Sequence, residues 1–319
     1  MYEQYFGFRE LPFQLTPDPD FFFDSRAHRK AAAYLKYGIA KGEGFVLITG
    51  EVGTGKTTLV DYLCKSLHGN RIIAAHVVTS RVASTGILRM VAASLDLPFR
   101  GKDKATLLID LQSFFRQAYE NKARILLFID EVQNVPFGAL EELRMLSNFK
   151  VDQRPLLQVF LVGQPQFRKK LAHKDFEQLR QRMIASYHLE SLNSEETERY
   201  IVHRLKHVGW RNNPTFAPDS FGVIFEATDG VPRKINILCD RLLLHCYLEQ
   251  LRHIDTGTVK AVVADMEGEW NFAAHSGGPQ NRGGISKSGQ DEAVPSEERD
   301  DGSNVTPLRE AANEKPDLG

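Results

Sequence analysis

The residues best suited to chemistry are Gly50-Glu51-Val52-Gly53-Thr54-Gly55-Lys56-Thr57-Thr58, which fit the pattern G-x-x-x-x-G-K-[ST]. They follow an apolar run, Phe45-Val46-Leu47-Ile48, and lead into Leu59-Val60-Asp61-Tyr62-Leu63, whose spacing is helical. Strand, glycine-rich loop and helix in that order make a cradle for phosphate. Gly50, Gly53 and Gly55 are expected to allow the backbone angles that turn successive N–H groups inward toward an anion. The start of the helix adds its own unpaired N–H groups and the positive end of its dipole. Lys56 then offers a mobile charge to the β- and γ-phosphates of a nucleotide, and Thr57 a hydroxyl to Mg²⁺.

A second group lies about seventy residues downstream, where Ile125-Leu126-Leu127-Phe128-Ile129 ends in Asp130-Glu131. Two carboxylates at the C-terminal end of a strand stand where open α/β sheets bind ligands. One carboxylate is needed for the metal's water shell and another, beside it, to take a proton from an attacking water. Asp130 suits the first task and Glu131 the second. The next strand ends at Gly163-Gln164-Pro165, which places the Gln164 amide to hold that water or to sense the γ-phosphate. Leu179-Arg180-Gln181-Arg182-Met183 sets two arginines before a final strand. Of these, Arg182 first and Arg180 second are candidates for a guanidinium presented to a neighbouring subunit's nucleotide. Gly230-Val231-Pro232-Arg233 opens a later helix, from which Arg233 is expected to reach the γ-phosphate from the lid side. The histidines include no H-x-x-x-H pair with a nearby acidic partner, so no transition-metal site is expected.

Holding these side chains requires a sheet. Strand patterns at Phe45–Ile48, Ile72–Val78, Ile125–Ile129, Leu156–Val162 and Ile184–Leu189 alternate with helical ones at Ala27–Lys41, Thr85–Leu95, Lys104–Asn121 and Gly138–Asn148. Such alternation predicts a parallel sheet covered by helices on both faces. Ile72–Val78 separates the phosphate loop from Asp130 in the chain. This matches P-loop ATPases that carry an acidic base of their own and insert a strand between these two elements of the sheet. Beyond Leu192 no strand pattern is visible. Helices are expected from an Asn193-Ser194 cap to His207, then over Phe216–Thr228, Arg233–Leu251 and Asp255–Glu267. Residues 1–25 combine eight aromatics with Pro12, Pro17 and Pro19. They are expected to run extended across the core, either stapling the N-terminus or lining the base pocket. From Ala273 onward there are nine carboxylates, five basic side chains and few bulky apolar residues, the composition of a disordered tail. The expected domains are 1–25, 26–191, 192–270 and 271–319.

Composition sets limits around this. With 42% apolar and 25% charged residues and a net charge of −1, the 319-residue chain predicts no general affinity for nucleic acid or anionic lipid. The longest apolar runs are about five residues against the roughly 20 that span a bilayer, and Met1-Tyr2-Glu3-Gln4 does not open a signal peptide. Cys64, Cys239 and Cys246 form no C-x-x-C pair, which fits a reducing cytoplasm.

Taken together, the phosphate loop, Asp130-Glu131, Gly163-Gln164-Pro165, Leu179-Arg180-Gln181-Arg182 and Gly230-Val231-Pro232-Arg233 resemble the AAA+ ATPases of the general-secretion-pathway A-component family. Tyr5-Phe6-Gly7-Phe8, Pro12-Phe13 and Thr16-Pro17-Asp18-Pro19 are similar to that family's N-terminal signature. Within it, Gly42-Glu43-Gly44-Phe45, Glu141 to Phe149 and Leu238 to Leu244 resemble the branch associated with exosortase/PEP-CTERM exopolysaccharide loci. The resemblance covers about residues 1–270. It implies a five-stranded core with a helical lid, ATP and Mg²⁺ as ligands, and Lys56, Thr57, Asp130, Glu131, Gln164, Arg182 and Arg233 in the roles above. A finger arginine that serves a neighbour's site predicts nucleotide-promoted self-association, and the resemblance implies partners in a membrane-associated export or exopolysaccharide apparatus, with the protein in the cytoplasm or peripheral at the inner face of the cytoplasmic membrane. Secretion-type relatives continue into a membrane helix and a peptidoglycan-binding domain, whereas a polar tail follows here. That difference favours a role in the exopolysaccharide and protein-sorting apparatus. The competing expectation is a DNA-linked helper ATPase of the transposition type.

Overall fold

Strands buried on both faces read as unbroken apolar runs, and three such runs build the centre of this protein. In β1 (Phe45–Gly50) every residue is buried. Phe45 and Leu47 face one cluster and Val46 and Ile48 the other. The same division holds for β3 (Arg124–Asp130) and β4 (Leu157–Gly163), whose Phe128 and Phe160 rings stack with centroids 4.7 Å apart. With β2 (Ile72–Val78) and β5 (Met183–Leu189) they form one parallel sheet in the order β2-β3-β4-β1-β5. The strand inserted between β1 and β3 is therefore β4, so Gly163 and Gln164 stand between the phosphate loop and Asp130. The computed structural model describes residues 1–67, 71–79 and 86–275, with side chains to residue 268.

Helices cover both faces. They are α2 (Arg26–Lys41), α3 (Lys56–Leu67), α4 (Gly86–Ser94), α5 (Lys104–Glu120), α6 (Phe137–Leu146), α7 (Gln166–Leu171) and the single turn α8 (Glu177–Arg180), preceded at the N-terminus by α1 (Tyr2–Phe6). The predicted start of α4 at Thr85 falls outside the described residues. A hairpin that no periodicity announces joins Lys150–Val151 to Arg154–Pro155, with Asp152 and Gln153 in left-handed backbone at its turn.

Beyond the sheet come α9 (Ser194–His207), α10 (Ser220–Thr228), α11 (Pro232–Leu248) and α12 (Thr256–His275). Asn193 caps α9 by accepting the Glu196 N–H at 2.8 Å, and Pro232 opens α11 where no N–H is needed. Thr215–Phe216 and His253–Ile254 pair in parallel, although no strand was expected after Leu192. Two residues each are too few for an alternating pattern. Helix α12 continues past residue 270, the expected domain limit, and the expected polar tail lies from residue 276 outside the described residues.

The N-terminal segment departs from expectation in two ways. It contains a helix, because its prolines begin only at Pro12, and a 3₁₀ turn at Pro19–Phe21 capped by Asp18. It also packs chiefly on the helical lid rather than the core. Tyr2, Phe6, Phe8, Phe13 and Phe21 join the cluster formed by Leu192, Ile201, Leu205, Leu238 and Leu242. It reaches the core mainly at α3, where Phe22 stacks on Tyr62 at 4.1 Å and Asp20 pairs with Lys65 at 2.5 Å. A buried arginine fastens it. The guanidinium of Arg204, 7% exposed, donates to the carbonyls of Pro12 and Gln14 and to the Tyr200 hydroxyl, and lies 4.6 Å from the Phe21 ring. Tyr200 in turn donates to Asn236 at 2.8 Å, and Asn236 to the Gln14 carbonyl at 3.2 Å. Arg204→Met would fill the space but leave those acceptors buried and unpaired. Equilibrium urea unfolding should show a loss of about 2 to 3 kcal/mol, whereas a loss below about 0.5 kcal/mol would mean that the clasp does not stabilise the fold.

Candidate nucleotide site

The cleft between sheet and lid is lined by Gly53, Gly55, Lys56, Thr57, Thr58 and Glu131 from the core, and by Tyr200, Arg204, Arg233 and Asn236 from the lid. Residues 14–18 and Phe21, Phe22 and Phe23 complete the wall. The N-terminal segment is stapled to the lid, and part of it lines the cleft.

Gly53 and Gly55 take φ of +85° and +91°, the left-handed backbone that glycine adopts without strain. Gly50 does not. It ends β1, and a Cβ there would lie 2.7 Å from the Leu189 carbonyl, so its glycine serves close packing rather than a special angle. Glu51 and Val52 form the outer turn. The Glu51 carbonyl accepts the Thr54 hydroxyl at 2.9 Å, and Val52 is 55% exposed. Lys56 begins α3 with its ammonium folded back onto the carbonyls of Gly50 and Glu51, at 2.9 and 2.8 Å. Burial pushes this ammonium below the usual lysine range, while the Glu131, Asp130 and Glu51 carboxylates pull it back up.

The two strand tips meet at Thr57, whose hydroxyl donates to Asp130 Oδ2 at 2.7 Å. Asp130 is 2% exposed. Burial alone would raise its pKa, yet the His76 ring 3.8 Å away, the Thr57 hydroxyl and the Glu131 N–H together hold it below the ordinary range. A hydroxyl and an ionised carboxylate side by side are hard oxygen donors. They fit Mg²⁺, which is held by one or two such groups together with substrate phosphates. Glu131 follows in left-handed backbone at φ +53°, an uncommon state for a non-glycine residue. Its carboxylate accepts the Gln164 amide at 3.3 Å. Arg233 lines the cleft from the start of α11, and its N–H donates to the Gly53 carbonyl at 3.1 Å.

Arg180 and Arg182 are not in this cleft. Arg182 immediately precedes β5 and pairs its carbonyl with the N–H of Phe45, the first residue of β1, at the opposite end of the sheet from the loop. Its guanidinium donates to the Ser147 hydroxyl at 3.0 Å. That of Arg180 donates to the carbonyls of Leu171, Ala172 and His173, closing the end of α7.

Besides His76 and the lid residues Tyr200, Arg204 and Asn236 that line the cleft, sequence reasoning missed other residues at the site. Gln133, two places after Glu131, bonds to both Glu131 and Gln164. Thr79 donates to the carbonyls of Asp130 and Glu131 at 2.7 and 3.0 Å. His28, 6% exposed, shares a hydrogen bond with Ser25 and stands against Gly55 from below. Only Gln133 left a signal, as a polar residue just past the strand's acidic end.

With sheet order, loop and acidic tip in place, the class follows: this is a P-loop ATPase of the AAA type. Residues 39–171 match the family described as AAA domain. The more particular likeness is to general secretion pathway protein A of Aeromonas hydrophila, 34% identical over 269 residues, which make up 84% of this chain and 49% of that protein. The chain thus spans about half the length of this curated relative. Solved structures share the fold at lower identity. The Aeropyrum pernix ORC2 protein in ADPNP–ADP complexes has a TM-score of 0.62 at 18% identity, over 79% of this chain and 71% of that one. Drosophila ORC bound to DNA gives 0.63 at 14%, over 84% and 67%. The Thermotoga maritima RuvB Holliday junction branch migration motor gives 0.51 at 20%, over 79% and 72%.

His28 generates a test of the packing under the loop. Burial drives its ring down to about 4, against weaker upward pulls from the Thr54 backbone, Glu196 and Asp24. The folded protein therefore holds the ring neutral, and the unfolded chain takes up its proton first as pH falls below 6.5. Stability should drop across that window and level off once the folded ring titrates near 4. The drop is on the order of 3 kcal/mol. In His28→Gln the urea midpoint should vary less over the same range, and an unchanged slope would place the acid sensitivity elsewhere.

Proposed function

We propose that the cleft binds and hydrolyses Mg²⁺-ATP, and that turnover drives assembly or regulation of a cell-envelope export system. The observation that carries the first part is the Thr57–Asp130 hydrogen bond at 2.7 Å with Glu131 next in the chain and lining the same cleft. In this reading Lys56 leaves the loop carbonyls for the β- and γ-phosphates. Thr57 and Asp130 would hold Mg²⁺, whose charge would offset that developing on the phosphoryl oxygens. Glu131 takes the proton of the attacking water, and Gln164 orients that water or reads the γ-phosphate. Arg233 meets the γ-phosphate from the lid, so lid angle depends on nucleotide state. The position of Arg182, at the far end of the sheet, suits a role only in a neighbour's site, and its single side-chain tie makes it a better finger than Arg180.

The second part rests on the general secretion likeness. The sequence stretches noted above support the exosortase/PEP-CTERM exopolysaccharide branch within it, and the likeness supports a protein that works in the cytoplasm or at the inner face of the cytoplasmic membrane. Among the described residues no helix is long and apolar enough to cross a membrane.

Glu131→Gln should keep Mg²⁺-ATP affinity within about twofold while losing turnover by about a hundredfold or more, read by fluorescent-nucleotide titration and phosphate release. Normal hydrolysis would remove Glu131 from the base role. Turnover per subunit should also rise with protein concentration and fall in Arg182→Ala. Concentration-independent turnover by a monomer would exclude a finger. Strong, salt-sensitive stimulation by duplex DNA would instead favour the DNA-linked alternative.

A further inference from the structure

Gln133 has no part in the chemistry set out above, yet its carboxamide makes two bonds of opposite polarity, to Glu131 and to the backbone of Gln164. It lies in the Val132–Asn134 turn directly after Glu131. Its Oε1 accepts the backbone N–H of Gln164 at 3.0 Å. A backbone N–H can only donate, so the amide's orientation is fixed and its Nε2 must face the other way. There it donates to Glu131 Oε2, the same oxygen that accepts the Gln164 side-chain amide at 3.3 Å. The three residues form a closed ring of hydrogen bonds joining the tips of β3 and β4. Gly163 makes room for it, since a Cβ there would fall 2.6 Å from Gln133 Oε1.

We infer that Gln133 is a positioning residue for hydrolysis, fixing the Glu131 carboxylate against the backbone of the β4 tip at Gln164. Two amide donors on Oε2 restrict the carboxylate's rotation and direct both bonds to one oxygen, leaving Oε1 for the water. Glu131 needs such support because its left-handed backbone is itself unfavourable and persists only where its surroundings over-determine it. The ring also links the two tips mechanically. A Gln164 side chain that turns toward a γ-phosphate gives up its own bond to Glu131, while the Gln164 N–H stays on Gln133 and Gln133 keeps Glu131 in place.

The inference rests on Glu131 as the base, and the experiment separates the two ideas. Gln133→Glu keeps an acceptor for the Gln164 N–H but replaces the donor to Glu131 with a like charge. Gln133→Leu removes both bonds at similar size. Each is compared with wild type and Glu131→Gln for kcat, Mg²⁺-ATP affinity and thermal midpoint. Both Gln133 variants should lose kcat by about tenfold to a hundredfold with ATP affinity within about twofold, and Gln133→Glu should retain the wild-type midpoint. Wild-type kcat in Gln133→Glu, with only the midpoint of Gln133→Leu lowered, would overturn the inference and leave Gln133 a support for the β4 tip. Should Gln133→Glu fold poorly, Gln133→Leu decides alone: kcat lost with affinity kept supports positioning, and kcat kept overturns it. Full hydrolysis by Glu131→Gln would overturn the base assignment and this inference with it.

Discussion

The hydrogen bond between Thr57 and Asp130 is the constraint on which the cleft depends. It joins the tips of β1 and β3, which are not neighbours in the sheet because β4 runs between them. A hydroxyl at the start of α3 can meet that carboxylate only if three strands keep register along their full length. The burial of β1 and β4 throughout, and of β3 from Ile125 on, secures this, with apolar side chains on both faces. Packing energy spread across the sheet thus sets one distance at its edge. An active site assembled this way tolerates variation in its loops but not a slip between strands.

The lid is organised by a different kind of interaction. The N-terminal segment holds to the lid through aromatic rings that lie in the lid's own apolar cluster and carbonyls gathered by Arg204 and Asn236, with Tyr200 bonded to both of those residues. A buried guanidinium is costly to desolvate, and carbonyl acceptors together with an aromatic face are what make it tolerable here. The same segment reaches α3 through the Phe22–Tyr62 stack, so it bridges the two sides of the cleft.

Much of this was legible in the sequence, for identifiable reasons. Central parallel strands betray themselves as apolar runs, and the phosphate loop is a local motif whose residues touch one another. The carboxylates of Asp130 and Glu131 were readable because a strand end is a place as well as a pattern. What escaped reading depends on contacts between distant segments. His28 reaches the loop only after α2 has packed on the sheet, and Thr79 finds Asp130 across two paired strands. Gly50 looked like its two neighbours, though its need is for space rather than for a left-handed angle. Arg180 looked like a reactive arginine because nothing local shows that the end of α7 folds under it. The short pairings at Thr215–Phe216 and His253–Ile254 are too brief to carry any period.

The bond from the Arg233 N–H to the Gly53 carbonyl sets the start of α11 directly on the loop. That helix has 17 residues, which at the α-helical rise make a rigid rod of about 25 Å. A tilt of about 5° at the pivot would sweep its far end through about 2 Å. The helix is thus a lever with its fulcrum on the glycine-rich loop, and an ångström-scale adjustment of that loop would emerge magnified at the far end of α11.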